Sequence, residues 1–261
     1  MKLRRRNDAR MDRRSAMARL FAGASGLLMA GCDAISKSSW GPKVLSAAEA
    51  VDRGAQRALT SRGALAPEYS EADLSPTFRS NGTSNPQDAD YRRLAAAGFV
   101  DWKLEVHGKV RKPTQLSLAQ LRALRSRTQI TRHDCVEGWS AIGKWTGVPL
   151  SQVLALAQPT EVARYVVFHC ADPMDEDGTR YYESIDLQDA HHPQTILAYE
   201  LNGRTLPIEN GAPIRLRLER QLGYKMAKYI MRIELAEHLD GIGGGNGGYW
   251  EDQGYEWYAG I

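Results

Sequence analysis

Hydrophobic and polar residues alternate with the two-residue period of a β-strand in several short segments of the chain. Trp102, Leu104 and Val106 alternate with charged residues, which predicts a strand with one buried face. The sequence Leu201-Asn202-Gly203-Arg204 predicts a hairpin with a type I′ turn, because Asn and Gly tolerate the positive φ angles that this turn requires. Further strands are predicted over 128–135, 163–169, 213–218 and 229–235.

Helical spacing is rarer, and capping residues mark it. Ser46-Ala47-Ala48-Glu49 is a capping-box sequence followed by apolar residues at helical spacing, so a helix is predicted from about 46 to 60. Residues 61–98 are polar and are predicted to be irregular. The resulting fold class is α+β, strand-rich and mixed, because no strand–helix alternation is long enough for a parallel doubly wound sheet. Three more helices are predicted, over 117–124, 150–157 and 186–191.

An apolar stretch near the start of the chain predicts a leader. Residues 20–31 are too few to cross about 30 Å of hydrocarbon as a helix, and they follow an arginine-rich start. The pair Arg13-Arg14 resembles a twin-arginine signal, which directs the export of folded proteins. Met29-Ala30-Gly31-Cys32 resembles a lipobox, with an ordinary cleavage site and an incidental Cys as the alternative. Residues 1–31 are therefore predicted to be a signal peptide whose lipobox ends at Cys32. The mature protein is predicted to be periplasmic, with a lipid anchor on Cys32.

Composition places the chain among ordinary globular proteins. Of its 261 residues, 43% are hydrophobic and 25% are charged, which excludes a disordered or collagen-like chain. The net charge of +3 comes from the leader, because residues 1–31 hold eight of the 34 basic residues and two of the 31 acidic ones. The remainder, with 26 basic and 29 acidic residues, has a formal charge of −3, so no nucleic-acid partner is expected.

The most informative segment for chemistry is Arg132-His133-Asp134-Cys135-Val136-Glu137-Gly138-Trp139-Ser140. A Cys at the end of a predicted strand that enters a Gly/Trp loop is placed to present a thiolate to a metal or an electrophile. By itself the pattern also fits a buried free Cys, or a disulfide with Cys170. The chain has no CxxC, HExxH, P-loop, GxSxG or CxxCH motif, which disfavours zinc sites, mononucleotide folds, serine hydrolases and c-type haem.

Two long segments resemble the molybdopterin-binding domain of the sulfite oxidase superfamily: TRHDCVEGWSAIGKWTGVPLSQVLALA and, downstream, ESIDLQDAHHPQTILAYELNGRTLPIENGAPIRLRLERQLGYKMAKYIMRIEL. Within that family the motifs are most similar to those of the catalytic subunit of periplasmic protein-methionine-sulfoxide reductase. The resemblance covers residues 75–237 and implies a strand-rich molybdopterin-binding oxidoreductase domain there. Residues 32–74 are then an N-terminal helix and linker. Residues 238–261 are expected to pack back on the domain, because their five aromatic side chains are costly to leave in water.

The resemblance also implies a set of site residues around a molybdenum–molybdopterin cofactor. Cys135 corresponds to the Cys that binds molybdenum in this family, which makes it the expected metal ligand and catalytic residue. Cys170 stands where the reductase has a Thr, so the cofactor contact expected there departs from the family pattern. The other residues expected to contact the cofactor are Asn81, Asn210, Arg215, Met226, Ala227 and Lys228.

The chemistry of these residue types agrees with the resemblance. Molybdenum held by dithiolene sulfurs accepts a further soft thiolate, and the cofactor's phosphate needs cations such as Arg215 and Lys228. Without the resemblance, Arg215 and Arg217 also fit the solvated face of a strand, and Lys228 fits a surface lysine.

The expected function is that of an exported molybdenum oxidoreductase that transfers an oxygen atom with two electrons and reduces an S-oxide or N-oxide, either a small molecule or protein-bound. Residues 136–139 are apolar and acidic where sulfite oxidases are expected to carry basic residues, which disfavours an anionic substrate unless Arg132 or Arg180 restores positive charge. Without haem or flavin motifs, the chain is expected to need a membrane cytochrome or a quinone-linked electron-transfer subunit. The alternatives are a sulfite dehydrogenase and a non-catalytic lipoprotein scaffold that retains the fold.

Overall fold

The computed structural model describes Ala48, Val51, residues 54–58, Ser61 and residues 63–261. The chain divides into two compact units, Met1–Ala55 and Gln56–Ile261. All described residues between 48 and 58 are helical, in agreement with the helix predicted there, and the ends of that helix lie outside the described residues. The predicted signal peptide and lipobox also lie outside them.

The second unit contains ten strands and five short α-helices among its described residues. The strands are β1 (Lys103–Gly108), β2 (Thr114–Ser117), β3 (Arg127–Asp134), β4 (Ser140–Pro149), β5 (Tyr165–Pro173), β6 (Arg180–Asp186), β7 (Ile196–Leu201), β8 (Arg204–Thr205), β9 (Arg215–Arg217) and β10 (Ile230–Ala236). The helices are α1 (Ala89–Ala96), α2 (Leu118–Ala123), α3 (Leu150–Ala157), α4 (Leu187–Ala190) and α5 (Tyr249–Asp252).

These strands form two sheets. The first has the order β2-β1-β10-β5-β6, in which β1 and β10 are parallel and the other neighbours are antiparallel. The second has the order β3-β4-β7-β8, with β9 paired antiparallel to β7. The strand-rich mixed α+β fold expected from the sequence is therefore confirmed.

Local signals in the sequence predicted several elements well. Ser117 caps α2 in a capping box with Gln120, and α3 coincides with the predicted 150–157 helix. Asn202 and Gly203 have φ angles of 52° and 73°, as a type I′ turn between β7 and β8 requires.

Other elements differ from the prediction for identifiable reasons. The predicted strand 213–218 is only Arg215–Arg217, because Pro213 has no N–H to donate and Leu218 lies beyond the last paired residue. Helix α1 occupies part of the 61–98 segment predicted to be irregular; it begins after the cap Asp88 and buries only Tyr91 and Leu94. Strand β6 was missed because residues on both of its faces are buried, which removes the alternation.

Strand β4 was missed because it contains two glycines that ordinarily mark turns. A Cβ on Gly147 would lie 2.3 Å from the Leu197 carbonyl oxygen, and one on Gly143 would lie 2.9 Å from the Phe78 ring. These glycines therefore allow close packing inside the sheet.

The main hydrophobic core contains residues of both sheets and includes the fully buried Trp102, Leu104 and Phe168. A smaller apolar cluster around Trp145 and Phe78 packs on the second sheet. Among the described residues, no helix has the length and apolar character needed to cross a bilayer.

Candidate functional site

A cavity of about 200 Å³ is lined by residues of both sheets and by the segments before and after them. We call it the Cys135 cavity. Its polar and charged lining residues are Arg79, Ser80, Asn81, Thr83, His133, Cys135, Glu137, Asp172, Tyr181, Arg215, Tyr224, Lys228 and Tyr255.

Cys135 is presented by the tight loop between β3 and β4. The Gly138 amide donates to the Cys135 carbonyl at 3.0 Å, and the Cys135 amide donates to the Trp139 carbonyl at 2.9 Å. Gly138 has a φ of 84°, which residues with a side chain rarely adopt, so this position of the loop favours glycine. The Cys135 side chain is 7% exposed and faces the cavity.

Asn81 contacts the Cys135 sulfur directly. Its Nδ2 lies 3.2 Å from Sγ, within hydrogen-bond distance for a sulfur acceptor. This contact fixes the position of the sulfur at the cavity wall.

Arg215 and Arg217, which are two residues apart on β9, are both buried. Neither arginine therefore lies on a solvated face of the strand. Arg217 is 0% exposed, and its guanidinium binds the Glu219 carboxylate through two hydrogen bonds of 3.0 Å and 2.6 Å. Arg215 is 5% exposed, and its hydrogen bonds go to the carbonyls of Asn210 at 3.1 Å and Met226 at 3.5 Å. Its Nε has no hydrogen-bond partner among the described residues. Burial, and then the charge of Arg217, lower the pKa of Arg215 to about 9.

Lys228 is the second cation of the cavity. Its ammonium donates to the backbone carbonyls of Asn81 at 2.7 Å and Thr83 at 2.5 Å. Burial, and then the charge of Arg215, lower the pKa of Lys228 to about 7. In the described part of the chain, neither Lys228 nor Arg215 forms an ion pair, so the cavity wall has positive charge that an anion is suited to neutralise.

His133 lies behind the cysteine loop as a neutral ring. Arg217 Nη1 donates to its Nδ1 at 3.0 Å, which leaves the ring proton on Nε2. Burial, followed by the charges of Arg217, Arg215 and Lys228, lowers the pKa of His133 well below its ordinary value. Gly223 packs against this ring, since a Cβ there would lie 2.4 Å from Nε2.

Asp172 is a buried acid on the cavity wall. It is 4% exposed, and in the part of the chain that the structure describes its Oδ1 has no hydrogen-bond partner. Burial raises its pKa to about 7, although a backbone hydrogen bond and the charge of Lys228 act in the opposite direction.

Five of the eight site residues expected from the sequence line this one cavity: Asn81, Cys135, Arg215, Met226 and Lys228. Cys170, Asn210 and Ala227 do not line it. Asn210 nevertheless accepts from Arg215 through its carbonyl, and its buried side-chain Nδ2 has no partner.

The disulfide considered between Cys135 and Cys170 is absent, because both are free cysteines. Cys170 lies in β5 opposite Ile230, and burial raises the pKa of its thiol well above the ordinary range.

An aromatic rim surrounds the cavity mouth. Arg79 stacks on Trp139 with Cζ 5.4 Å from the ring centroid, and Trp139 packs against His133. Trp250 and Tyr255 of the C-terminal segment stack at 5.3 Å on the cavity wall. Residues 249–257 therefore pack against the body that carries the cavity.

The two arginines expected to restore positive charge lie elsewhere. Arg132 is exposed and pairs with Asp134, and Arg180 pairs with Asp88; neither lines the cavity. The basic residue at the rim is Arg79, which the sequence analysis did not single out. Its neighbours along the chain are polar, and no local pattern relates it to Trp139, from which it is 60 residues distant.

Comparison with known proteins supplies the family. Residues 93–240 match the model of the oxidoreductase molybdopterin binding domain. A protein of Azospira oryzae, provisionally named protein-methionine-sulfoxide reductase subunit YedZ1, is 43% identical over 196 residues, which are 75% of this chain and 68% of that protein.

Two proteins named protein-methionine-sulfoxide reductase catalytic subunit MsrP are similar over a shorter range. The one from Xanthomonas axonopodis pv. citri is 42% identical over 147 residues, and the one from Xanthomonas campestris pv. campestris is 41% identical over 147 residues. Each alignment covers 53% of this chain and 46% of the other protein, so the matched part spans about half the length of these relatives. Among solved structures, sulfane dehydrogenase SoxCD from Paracoccus pantotrophus matches with 22% identity and a TM-score of 0.47 over 53% of this chain and 39% of that one, which is too weak to carry an argument.

Proposed function

The chain belongs to the oxidoreductase molybdopterin-binding domain family, and from this premise we propose that it holds molybdenum–molybdopterin in the Cys135 cavity and reduces an S-oxide or N-oxide there. The observation that carries the proposal is the pairing of a cysteine at the cavity wall with the buried Arg215 and the half-buried Lys228, neither of which has a carboxylate partner among the described residues.

The residues present fit such a cofactor. Cys135 supplies the soft sulfur ligand that molybdenum accepts, and Arg215 and Lys228 supply the positive charge that a phosphate needs. The unpartnered Nε of Arg215 and Nδ2 of Asn210 are buried donors without an acceptor, and polar acceptors on a bound molecule would satisfy them. When bound, the molybdenum centre supplies the two-electron redox chemistry and the site of oxygen-atom transfer.

The chain's own residues prepare the cavity for that chemistry. Asn81 orients the Cys135 sulfur through its amide, and Lys228 holds the Asn81 backbone in place through its carbonyl. Burial and the hydrogen bond from Arg217, whose charge pairs with Glu219, keep His133 uncharged beneath the loop.

The reduction consumes two electrons and two protons: R₂SO + 2 H⁺ + 2 e⁻ gives R₂S + H₂O. The electrons come from an outside donor, for which a membrane cytochrome or a quinone-linked subunit is suitable. We further propose that the protein is exported to the periplasm as a Tat substrate and anchored there through Cys32.

A neutral oxide is favoured over sulfite by the residues beside the cysteine. Val136 is exposed and apolar, Glu137 carries a negative charge, and Trp139 offers an aromatic surface at the mouth. The positive charge of Arg79, which stacks on Trp139 at the same rim, favours an anionic substrate instead.

Cofactor content tests the binding site. Arg215→Ala should lower molybdenum and pterin content severalfold, because the buried phosphate loses its cation. Arg93→Ala, which removes a surface arginine paired only with Asp90, is the matched control and should keep full content. Full molybdopterin content in Arg215→Ala would contradict the proposed cofactor site.

Steady-state kinetics test the substrate. Reduction of methionine sulfoxide, dimethyl sulfoxide and trimethylamine N-oxide with a reduced dye is compared with sulfite oxidation by an artificial acceptor. We expect the highest kcat/KM for an oxide. The highest value for sulfite would make the protein a sulfite dehydrogenase, and no turnover with full cofactor would favour the scaffold alternative.

A further inference from the structure

Three fully buried charged side chains lie beside the Cys135 cavity and are not part of the proposed cofactor site. Lys225 and Glu183 are 0% exposed and Glu251 is 3% exposed. The Lys225 ammonium donates to Glu183 Oε1 at 2.5 Å and also to Glu251 Oε1. Glu183 comes from β6, Lys225 from the 3₁₀ turn Gly223–Lys225, and Glu251 from α5. We call this group the Lys225 cluster.

The charges of this cluster do not balance. Two carboxylates share one ammonium, so the fully ionised cluster carries a net negative charge in the interior, where such a charge is costly. The Lys225 ammonium also lies over the neutral ring of Trp257, with its centroid at 5.3 Å. One proton shared between the carboxylates makes the cluster neutral.

The electrostatics around Glu183 agree with a bound proton. Burial raises the pKa of Glu183 well above its ordinary value; the Lys225 charge lowers it, and the Glu251 charge raises it. Further acids interact with Tyr181 or Glu183, namely Cys170 and Asp172 on β5 and Tyr224, and the charge of Lys228 acts on Cys170 and Asp172.

Tyr181 connects the cluster to the cavity. Its hydroxyl lies 3.3 Å from Glu183 Oε2 and donates to the backbone carbonyl of Tyr224. Tyr181 and Tyr224 line the Cys135 cavity, whereas Glu183 does not. The single hydroxyl proton of Tyr181 can be donated to Glu183 Oε2 or to the Tyr224 carbonyl, and when it is donated to Tyr224, a protonated Glu183 can donate to the hydroxyl oxygen. The hydrogen bonds therefore run from the buried acid to the cavity wall.

We propose that the Lys225 cluster stores a proton and delivers it through Tyr181 to the Cys135 cavity during oxide reduction. The inference rests on the proposed function, which consumes two protons for each oxide. Tyr181 gives its hydroxyl proton toward the departing oxide oxygen and takes the proton of Glu183 in return, so the tyrosine is unchanged and the cluster is one proton poorer. The electrons come from the outside donor. Solvent then reprotonates the cluster, and a second passage through Tyr181 supplies the second proton that the reduction consumes.

A purely structural role for the cluster makes a different prediction. If Lys225 only clamps α5 to β6, then Glu183→Gln should be harmless, because the amide keeps the hydrogen bond and leaves one carboxylate to pair with Lys225. The delivery role predicts instead that this well-folded variant loses catalysis.

The experiment compares the holoenzymes of Glu183→Gln, Tyr181→Phe and the matched control Tyr182→Phe. The control removes the hydroxyl of the next residue on β6, which binds Asp252 and does not line the cavity. For Glu183→Gln and Tyr181→Phe we expect kcat to fall by about tenfold or more with KM nearly unchanged, a larger solvent deuterium isotope effect, and a kcat that rises with the concentration of buffer acid. Tyr182→Phe should behave as wild type.

Infrared spectroscopy supplies a readout that is independent of turnover. The wild-type protein at neutral pH should show the carbonyl stretch of a protonated carboxylic acid that is lost in Glu183→Gln, because removing either carboxyl removes the shared proton. A protonated Asp172 would give a similar carbonyl band, and the spectrum of Asp172→Asn identifies that band by its loss.

The outcomes distinguish the two proposals. Wild-type kcat in both Glu183→Gln and Tyr181→Phe, or no infrared band lost in Glu183→Gln, would overturn proton delivery. Either result would leave the proposed oxide reductase activity intact. A wild-type enzyme that reduces no oxide would overturn the proposed function and, with it, this role for the cluster, even if the band is present.

Discussion

Cys135 lies where a single-residue change has the most direct chemical consequence. Its sulfur is at the cavity wall, 3.2 Å from an amide donor, and the loop that carries it is held by two backbone hydrogen bonds. The geometry of the loop depends on the backbone and not on the sulfur, so the side chain can be changed without unfolding the hairpin.

Cys135→Ser should give a folded protein that loses turnover by more than about 100-fold, because a hydroxyl is a poor ligand for a soft metal site. Oxide reduction and molybdenum content measure the effect. Ser140→Ala, at the exposed end of the same loop, is the control and should retain activity. Normal turnover of Cys135→Ser would contradict the ligand assignment.

Asp172 gives a pH-dependent prediction at the same scale. Because burial raises its pKa from 3.8 to about 7, the folded state loses stability as the pH rises from about 4 to about 7, by at most about 4 kcal/mol. Asn stays neutral at every pH. The stability gained by Asp172→Asn should therefore grow with pH and level off above pH 7.

Urea unfolding at pH 5 and pH 8 measures this gain. The exposed Asp101→Asn change should give no comparable increase between the two pH values. An Asp172→Asn variant that is no more stable than wild type at pH 8 would mean that the carboxylate has a partner when ionised.

At the scale of elements, the hairpin of β3 and β4 determines where the cysteine is. Strand β4 lies between β3 and β7, and it approaches β7 so closely at Gly147 that no side chain fits there. The bulge between Thr146 and Gly147 lies at the same point. Gly147 pairs with Arg127 at the end of the hairpin opposite to Cys135, so this close approach determines how the hairpin packs on β7.

Gly147→Ala should destabilise the protein by about 1 to 3 kcal/mol, because its Cβ would lie 2.3 Å from the Leu197 carbonyl oxygen and force β4 and β7 apart. The measurement is the urea midpoint. Gly241→Ala, where a Cβ meets nothing within 4 Å, is the control. Equal stability of the two variants would show that β7 can move away from the added Cβ without loss of stability.

At the scale of the whole molecule, the cavity is assembled from distant parts of the chain. Asn81 precedes the matched family range 93–240, and Trp250 and Tyr255 follow it, yet all three line the same cavity. The segments outside the family range therefore contribute to the site, and the C-terminal aromatic residues narrow its mouth.

The leader gives the prediction that belongs to the whole protein in the cell. The lipobox-like sequence Met29-Ala30-Gly31-Cys32 should be cleaved before Cys32 and the new N-terminus lipidated. Mass spectrometry of the protein from its native membranes reads the terminus directly. An unmodified N-terminus at another residue would contradict the predicted lipid anchor. Retention of residues 1–31 in the mature protein would contradict the predicted signal peptide.

Local patterns in the sequence predict local structure in this protein. The Ser117 capping box, the Asn202-Gly203 turn and the apolar spacing of α3 each involve neighbours within four residues, so the backbone there follows from local energetics. The same patterns fail for β6 and β4, because full burial and close sheet packing override local periodicity.

By itself the sequence determined the α+β class, the family resemblance and Cys135 as the residue around which the chemistry is expected. Only the tertiary structure decided that Arg215 and Arg217 are buried rather than solvated, that Cys135 and Cys170 are unpaired, and that Arg79, His133 and Asp172 share the cavity. It also decided that Lys225 is fully buried between two carboxylates 42 and 26 residues away along the chain. The physical reason is that burial and electrostatic pairing depend on contacts between segments far apart in the chain, and these contacts leave no periodic signal in the sequence.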